Sequence, residues 1–526
     1  MTSAQAPLVK QRDNVLHSFL LTSVFVVCGA LLITHHEMWR DELEAWMLAR
    51  DSVNILDLFA NVKYQGHPGL WYLLVMPLTR IFSTPVSMQY LHLAISTLSI
   101  YLLVRYSPFT SFQKTLLVFN YFLFYEYSVI SRMYALAVLL IFIVCTFYQR
   151  RYDRPFTIAI SLFLLSHTDV FGLIASIVLC AALVLDWFLE HSRRYEFKFS
   201  LQTYGGALLV ILIGVITAVV QLQPPEDSHY LSGWRFSLDS REIAHVVYPA
   251  LIGAYLPVPK FEVHFWGTEL FASNRVVRHI SFIGVMIFIY LFLRSLFNRP
   301  IAAVVFLGCS VGFLSFFYTK HPGHIRHHGF LFISLIASVW IAASYKKIRI
   351  PTFLERFPRV SDANMGRLLN VVLSVHVVAG LCAAYFDYRY VFSNAMNVAE
   401  FIRKNDLQDK LIVGHRDYQA SAVAGYLQST KFYYPIGRRF GSFVRLDEKR
   451  WLEGEEAMEP NAVLEAALSL SANGSRQVVL VLDQPLIAEF QPLIAESHSG
   501  RSIKKLAEFT GAIVSDENYS IYEIVK

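Results

Sequence analysis

Residues 20–46 read "LLTSVFVVCGALLITHHEMWRDELEAW", an apolar run that gives way within a few residues to three carboxylates, Asp41, Glu42 and Glu44. With the residues before it the run covers 14–34, close to the about 20 residues that a helix needs to cross a bilayer. Lys10 and Arg12 precede it as the charged start of a signal peptide would, but no small-x-small cleavage site follows, so the run reads as a retained span with a cytoplasmic N-terminus. The three acids then sit at a membrane surface. Charge in that position is either a solvated boundary or a reaction site.

Composition agrees with a membrane protein. Of 526 residues, 55% are hydrophobic, 15% aromatic and only 16% charged, whereas soluble domains carry charge on about a quarter of their residues. Mean hydropathy is +0.43. The net charge of +6 comes from short basic clusters between apolar runs, as in loops on one side of a membrane, which argues against a nucleic-acid partner. Cys28, Cys145, Cys180, Cys309 and Cys382 all lie in apolar segments without CxxC or histidine spacing, so they read as core residues.

Eleven runs have the length and apolarity of spans: 14–34, 88–104, 114–127, 133–148, 156–167, 170–189, 201–222, 279–297, 300–318, 329–345 and 367–386. The basic loops at 150–155, 191–200, 294–300 and 344–359 belong in the cytoplasm by the positive-inside rule. The short stretch "HPGLWYLLVMPLTRIF" (67–82), interrupted by Pro77 and Arg80, keeps this alternation only as an interfacial helix. The expected architecture is a polytopic α-helical membrane domain over 1–389, with an α/β domain over 390–526 outside. The first external loop (35–67), the turn "YEYSVISRMY" (125–134), "SHTD" (166–169), a long loop from 223 to 278 and "TKHPGHIRHHG" (319–329) share that outer side. In the external domain, 395–405 has helical spacing, while "KLIVGH" (410–415), "QVVLVLD" (477–483) and "SIYEIV" (520–525) read as strands. It has no GxGxxG phosphate loop, so no cofactor is assigned to it.

On a helix, Arg40 and Glu44 stand four apart and pair, leaving Asp41 free; alternatively the acids only complement the dipole of a helix N-terminus. Downstream come "GHPGLWY" (66–72) and "SRMY" (131–134). This order of motifs resembles the GT-C superfamily of membrane glycosyltransferases, in the branch of protein mannosyltransferases and lipid A aminoarabinose transferases (glycosyltransferase family 39-like). The resemblance covers roughly residues 1–170 by motif and the remainder by topology. It implies an inverting hexosyl- or pentosyltransferase of the inner membrane. Such an enzyme takes a sugar from a polyprenyl-phosphate donor and passes it to a lipid, glycan or protein acceptor at the outer face. It also implies that the acid of the first external loop is catalytic, which maps to Asp41 with Glu42 beside it. Where related chains carry a Glu two residues before the Arg of the second motif, this one has Ile130; Glu126 or Asp169 is then the alternative second carboxylate. A divalent metal ion stays open.

The chemistry fits these positions. A carboxylate deprotonates the acceptor hydroxyl, and cations stabilise the departing phosphate. Arg132, Lys320, His324, Arg326 and His327 are the candidates for phosphate contact, and His67, Tyr134 and Asp169 for other substrate contacts. Each has a plainer reading. Arg132 snorkels to the interface, the histidines bind metal although the spacing of a zinc site is missing, His67 fixes its loop beside Pro68, and Trp71 and Tyr72 anchor at the interface. The segment 239–257 reads as an interfacial helix over the cavity, with Trp234 and Trp266 available to lipid or sugar. A flippase for lipid-linked glycans is the rival function, yet transporters carry ionisable groups at mid-bilayer depth and these spans carry few. A ligase of whole glycan chains differs only in donor size.

Overall fold

A computed structural model of the protein describes residues 15–191, 201–228, 233–348, 361–429, 432–447, 460–474, 477–486 and 502–525. Lys10, Arg12, residues 192–200 and residues 349–359, on which part of the predicted orientation rests, lie outside them.

Among the described residues eight helices are long and apolar enough to cross a membrane: Val15–Ile33, Val86–Tyr106, Val170–Leu189, Gln202–Leu222, Arg275–Leu296, Pro300–Thr319, Ile325–Ala342 and Asp362–Arg389. They coincide with eight of the eleven predicted spans. Their outward residues, such as Phe19, Leu31, Ile216 and Ile283, are exposed, as suits a lipid-facing surface that has no hydrophobic cost. Ile325–Ala342 is instead almost wholly buried and forms the centre of the bundle.

The other three runs form shorter elements. Tyr134–Arg150 and Pro155–Ser166 are apolar helices of less than spanning length. The run 114–127 is not one helix: Ser111–Val118 ends at Phe119, and a single π-helical turn follows over Tyr121–Glu126. Asn120 causes the break. Its side-chain oxygen accepts from Phe122 N and Leu123 N at 2.9 and 3.0 Å, which competes with helix continuation as Asn side chains do at caps. The last span packs tightly on this break, because a Cβ on Gly380 would stand 2.9 Å from Phe119 O.

Residues 67–82 form the twelve-residue helix Leu70–Ile81 with Pro77 inside it. Trp71 and Tyr72 are core residues rather than interfacial anchors: both are buried, and Trp71 meets His92 edge to face. Arg80 binds the carbonyls of Arg50 and Ser52, closing the C-terminus of the loop helix Arg40–Asp51.

The C-terminal sheet has six strands, β1 (Leu411–His415), β2 (Phe432–Tyr434), β3 (Arg439–Gly441), β4 (Val478–Leu482), β5 (Ser502–Phe509) and β6 (Tyr519–Val525), in the order β3-β2-β1-β4-β6-β5. β1 runs parallel to β2 and β4, and the other pairs are antiparallel. Every residue of β4 is buried, as expected of a central strand covered on both faces. Alternation sorts its side chains. Val478, Leu480 and Leu482 face Val463, Leu464, Ala467 and Leu468 of the helix Pro460–Gly474, whereas Val479 and Val481 join the core shared with the membrane helices. The sheet is therefore packed into the membrane part rather than tethered to it. Contact is closest where the helix Asp417–Leu427 crosses the loop helix: a Cβ on Gly425 would stand 3.0 Å from Leu43 Cβ.

Candidate active site

The loop helix Arg40–Asp51 starts at Trp39 with a cap in which Glu42 Oε2 accepts from Trp39 N at 3.2 Å. Glu42 makes two further contacts, with His36 Nε2 at 3.0 Å and with Ser131 N at 2.6 Å. The other His36 nitrogen lies 3.0 Å from Asp387 Oδ2. A ring that donates on both sides to carboxylates is an imidazolium. Burial opposes that charge, but Asp387 and Glu42 outweigh it and raise the His36 pKa well above its ordinary value. Glu42 is thus fully buried and does not line the cleft described below. It fastens the start of the loop helix to the turn that carries Arg132.

Asp41, one residue earlier, points the other way. Its Oδ2 lies 3.3 Å from Arg132 Nη1 and 3.5 Å from Arg326 Nη2, and its backbone oxygen accepts from Arg132 Nη1 at 2.6 Å. Its side chain keeps 26% exposure. Desolvation alone would push the carboxyl pKa up, but the Arg132, Arg326 and Arg40 guanidiniums hold it below the usual range.

Arg326 lies beside an edge-to-face pair of indoles, 5.3 Å from the Trp39 ring and 5.4 Å from the Trp266 ring. Trp266 in turn donates to Glu126 at 3.2 Å. The long loop therefore reaches the site through Trp266, which packs on a guanidinium; Trp234 stays 52% exposed. Glu126 is buried against Tyr121 and Trp266, so neither it nor Asp169 stands beside Asp41 as a second free carboxylate. Asp169 Oδ1 accepts from Gly172 N at 2.6 Å and caps the following span. Burial pushes its carboxyl up to about 7.

The histidine motif divides its labour in the same manner. His327 Nδ1 accepts from His324 N at 3.0 Å, capping Ile325–Ala342, while its Nε2 meets Tyr134 OH at 2.9 Å. His328 Nε2 faces Pro322 O at 3.2 Å. The rings of His321 and His324 pack against His327, and burial with the Arg326 charge lowers the His324 pKa to about 4. Of the residues expected to contact phosphate, the structure brings Arg132 and Arg326 onto Asp41. His324 and His327 hold the helix start instead, and Lys320 lies over the Trp234 ring at 5.1 Å, away from the cleft. Tyr134 supports Arg132, whose guanidinium lies 5.9 Å from its ring.

A cleft of about 500 Å³ opens beside Asp41. Arg40, Asp41, Glu44, Gln65, His67, Tyr72 and Arg132 line it from the membrane part, and Tyr418, Ser421 and Leu446 from the C-terminal part. His67 is neutral here, its pKa lowered to about 3 by burial and by Arg132. The expected Arg40–Glu44 pair does not form. Arg40 binds Asp516 at 3.0 Å and Glu517 at 3.2 Å, and Glu44 accepts from Gln65 at 2.9 Å and Val444 N at 3.5 Å. Helical spacing allowed the pair, but closer partners arrive from the C-terminal segments. Burial pushes the Glu44 carboxyl up to about 8.

Sequence reasoning did not reach Gln65, Tyr418, Ser421 or Leu446. Gln65 stands immediately before the "GHPGLWY" motif, but the other three carry no local signal. Among the described residues no three His, Cys, Asp or Glu side chains group as a metal ion would need. A divalent ion against Asp41 also fits poorly with two guanidiniums already on its carboxylate.

No family model matches the chain, and no curated protein matches it. Solved structures do. The crystal structure of ArnT from Cupriavidus metallidurans bound to undecaprenyl phosphate superposes with a TM-score of 0.52 at 11% identity, covering 96% of this chain and 97% of that one. The same protein in its apo state gives 0.50 at 13% identity with the same coverage. The likeness runs through the membrane helices and the sheet, so the GT-C-like fold holds for nearly the whole chain.

Proposed function

We propose that this protein is an inverting glycosyltransferase of the inner membrane that moves a sugar from a polyprenyl-phosphate donor to an acceptor hydroxyl, with Asp41 as the base. The observation that carries this reading is the meeting of one partly exposed carboxylate with two largely covered guanidiniums, Arg132 lining the cleft with it and Arg326 reaching it from outside the cleft lining. Two guanidiniums on one carboxylate leave net positive charge, which suits an anionic phosphate leaving group. The fold shared with a protein crystallised on undecaprenyl phosphate supports the same donor class.

In this reaction the acceptor oxygen bonds to the anomeric carbon as the bond from that carbon to the phosphate oxygen breaks. The acceptor proton passes to Asp41. The lipid phosphate leaves with the bonding electron pair and is stabilised by Arg132 and Arg326. Neutral His67 lends polarity without competing for the proton. The acceptor enters from the side of Glu44, Gln65, Tyr418 and Ser421, so the C-terminal domain forms part of the acceptor wall. At neutral pH Glu44 is mostly protonated there and offers a hydroxyl donor.

Asp41→Asn keeps the shape of the side chain and removes its basicity. Transfer by the purified protein should fall by about 10²- to 10⁴-fold while the thermal midpoint and undecaprenyl phosphate binding persist. Turnover at the wild-type rate would defeat the assignment.

A further inference from the structure

The two guanidiniums beside Asp41 are held by groups other than its carboxylate. Arg132 is tied to the backbone oxygen of Asp41 at 2.6 Å and rests on the Tyr134 ring. Arg326 rests against the Trp39 and Trp266 rings, which meet each other edge to face. Their side chains keep only 10% and 15% exposure. The carboxylate itself is the loosely held member: its 3.3 and 3.5 Å contacts exceed the about 2.7–2.9 Å of a tight charge-assisted hydrogen bond. The pair also has donors to spare, since Nε of Arg132 and Nε of Arg326 are buried without a hydrogen-bond partner among the described residues. A guanidinium has five N–H donors, and one carboxylate oxygen shared between two of them uses few.

We infer that the donor phosphate and the Asp41 carboxylate compete for Arg132 and Arg326, so that donor binding displaces Asp41 and arms it as the base. This rests on the function proposed above and adds an order to it. The donor phosphodiester carries the same single charge as the carboxylate, but its two non-bridging and two ester oxygens reach more of the forked donors than the one Asp41 oxygen now shared between them, and the lipid phosphate released carries more charge still. The guanidiniums, one packed on the indoles and one tethered to backbone, stay where they are, and the partly exposed Asp41 side chain is the part that turns, toward Glu44 and Gln65 on the acceptor side. Neutralising the arginines with phosphate also offsets two of the three guanidinium charges that hold Asp41 below the usual carboxylate range. The base then gains proton affinity only once the donor is seated. Donor binds first, and an acceptor arriving early meets a carboxylate that is paired and weakly basic.

The test is the affinity of the full-length purified protein in lipid nanodiscs for undecaprenyl phosphate, measured by microscale thermophoresis. Removing the competitor should tighten binding by about tenfold in both Asp41→Asn and Asp41→Ala, within the range of coupling between linked groups. Arg132→Gln should weaken binding, and Asp41→Asn in the Arg132→Gln background should tighten it less. Unchanged or weaker binding in both folded Asp41 variants, with transfer lost, overturns the competition and leaves the base assignment standing. Retained transfer in Asp41→Asn overturns the base assignment instead, whatever the affinity does.

Discussion

Two helix starts face each other across the site, and they are built alike from opposite charges. At the loop helix, Glu42 in the first turn accepts from the backbone N–H of Trp39 while its neighbour Asp41 enters the cleft. At Ile325–Ala342, His327 in the first turn accepts from the backbone N–H of His324 while its neighbour Arg326 reaches Asp41. In both motifs several titratable residues stand in a row, one does the electrostatic work of the site and the next caps the helix. A cluster of chemistry-bearing residues is therefore mostly scaffold. The difference lies in support: the acidic start is locked by an ionic chain through His36 to Asp387, and the basic start by aromatic faces.

The sharpest way to break this comparison is to loosen the acidic cap. Glu42→Gln leaves the buried His36 charge with one carboxylate and removes a charge-assisted contact to Ser131 N. A loss of about 1–3 kcal/mol in stability and a fall in transfer of roughly tenfold are expected, because a small displacement of a positioned group already costs rate. The fall should reside in kcat, with the pH profile of transfer unshifted. A Glu42→Gln enzyme whose pH profile moves as Asp41→Asn would predict makes Glu42 a participant rather than a cap.

Trp266→Ala tests the aromatic support. It removes one of the two indoles that pack on Arg326, an interaction worth about 0.5–2 kcal/mol, so undecaprenyl phosphate affinity should drop by about three- to tenfold while the membrane fold persists. Equal affinity would mean that Trp39 alone suffices and that the long loop only covers the site.

The smallest effect concerns Glu44. Its folded pKa of about 8 lies above the unfolded value, so the folded state binds the extra proton between those two values. Stability from this group is complete below the unfolded pKa and is lost as pH rises toward 8. Glu44→Gln should flatten the decline of the melting midpoint between about pH 5 and 8, with little change at pH 5. A decline of wild-type steepness in the variant would assign it to other groups.

Legibility followed the range of the interactions. Eight spans and strands β1, β4 and β6 were readable because burial writes itself into runs and periods of a few residues. The break in 114–127 was not, since one Asn side chain overrode an apolar run. In the site, Asp41 and Arg132 could be singled out from motif order and from their place at the ends of apolar segments. Glu42 stood beside Asp41 with nothing in the sequence to say that its neighbour at 131 would bury it. The Arg40–Glu44 pairing failed for the same reason, because Asp516, Glu517 and Val444 come from far along the chain.

What the sequence determined by itself is thus the membrane character, most of the helices and the class of groups gathered near the first external loop. Only the tertiary structure decided which carboxylate faces the cleft, which histidines are caps and that the C-terminal sheet supplies one wall. Hydrophobic pattern is a local record of burial, whereas the partner of a charged group is whichever distant segment the packed core brings within about 3 Å of it.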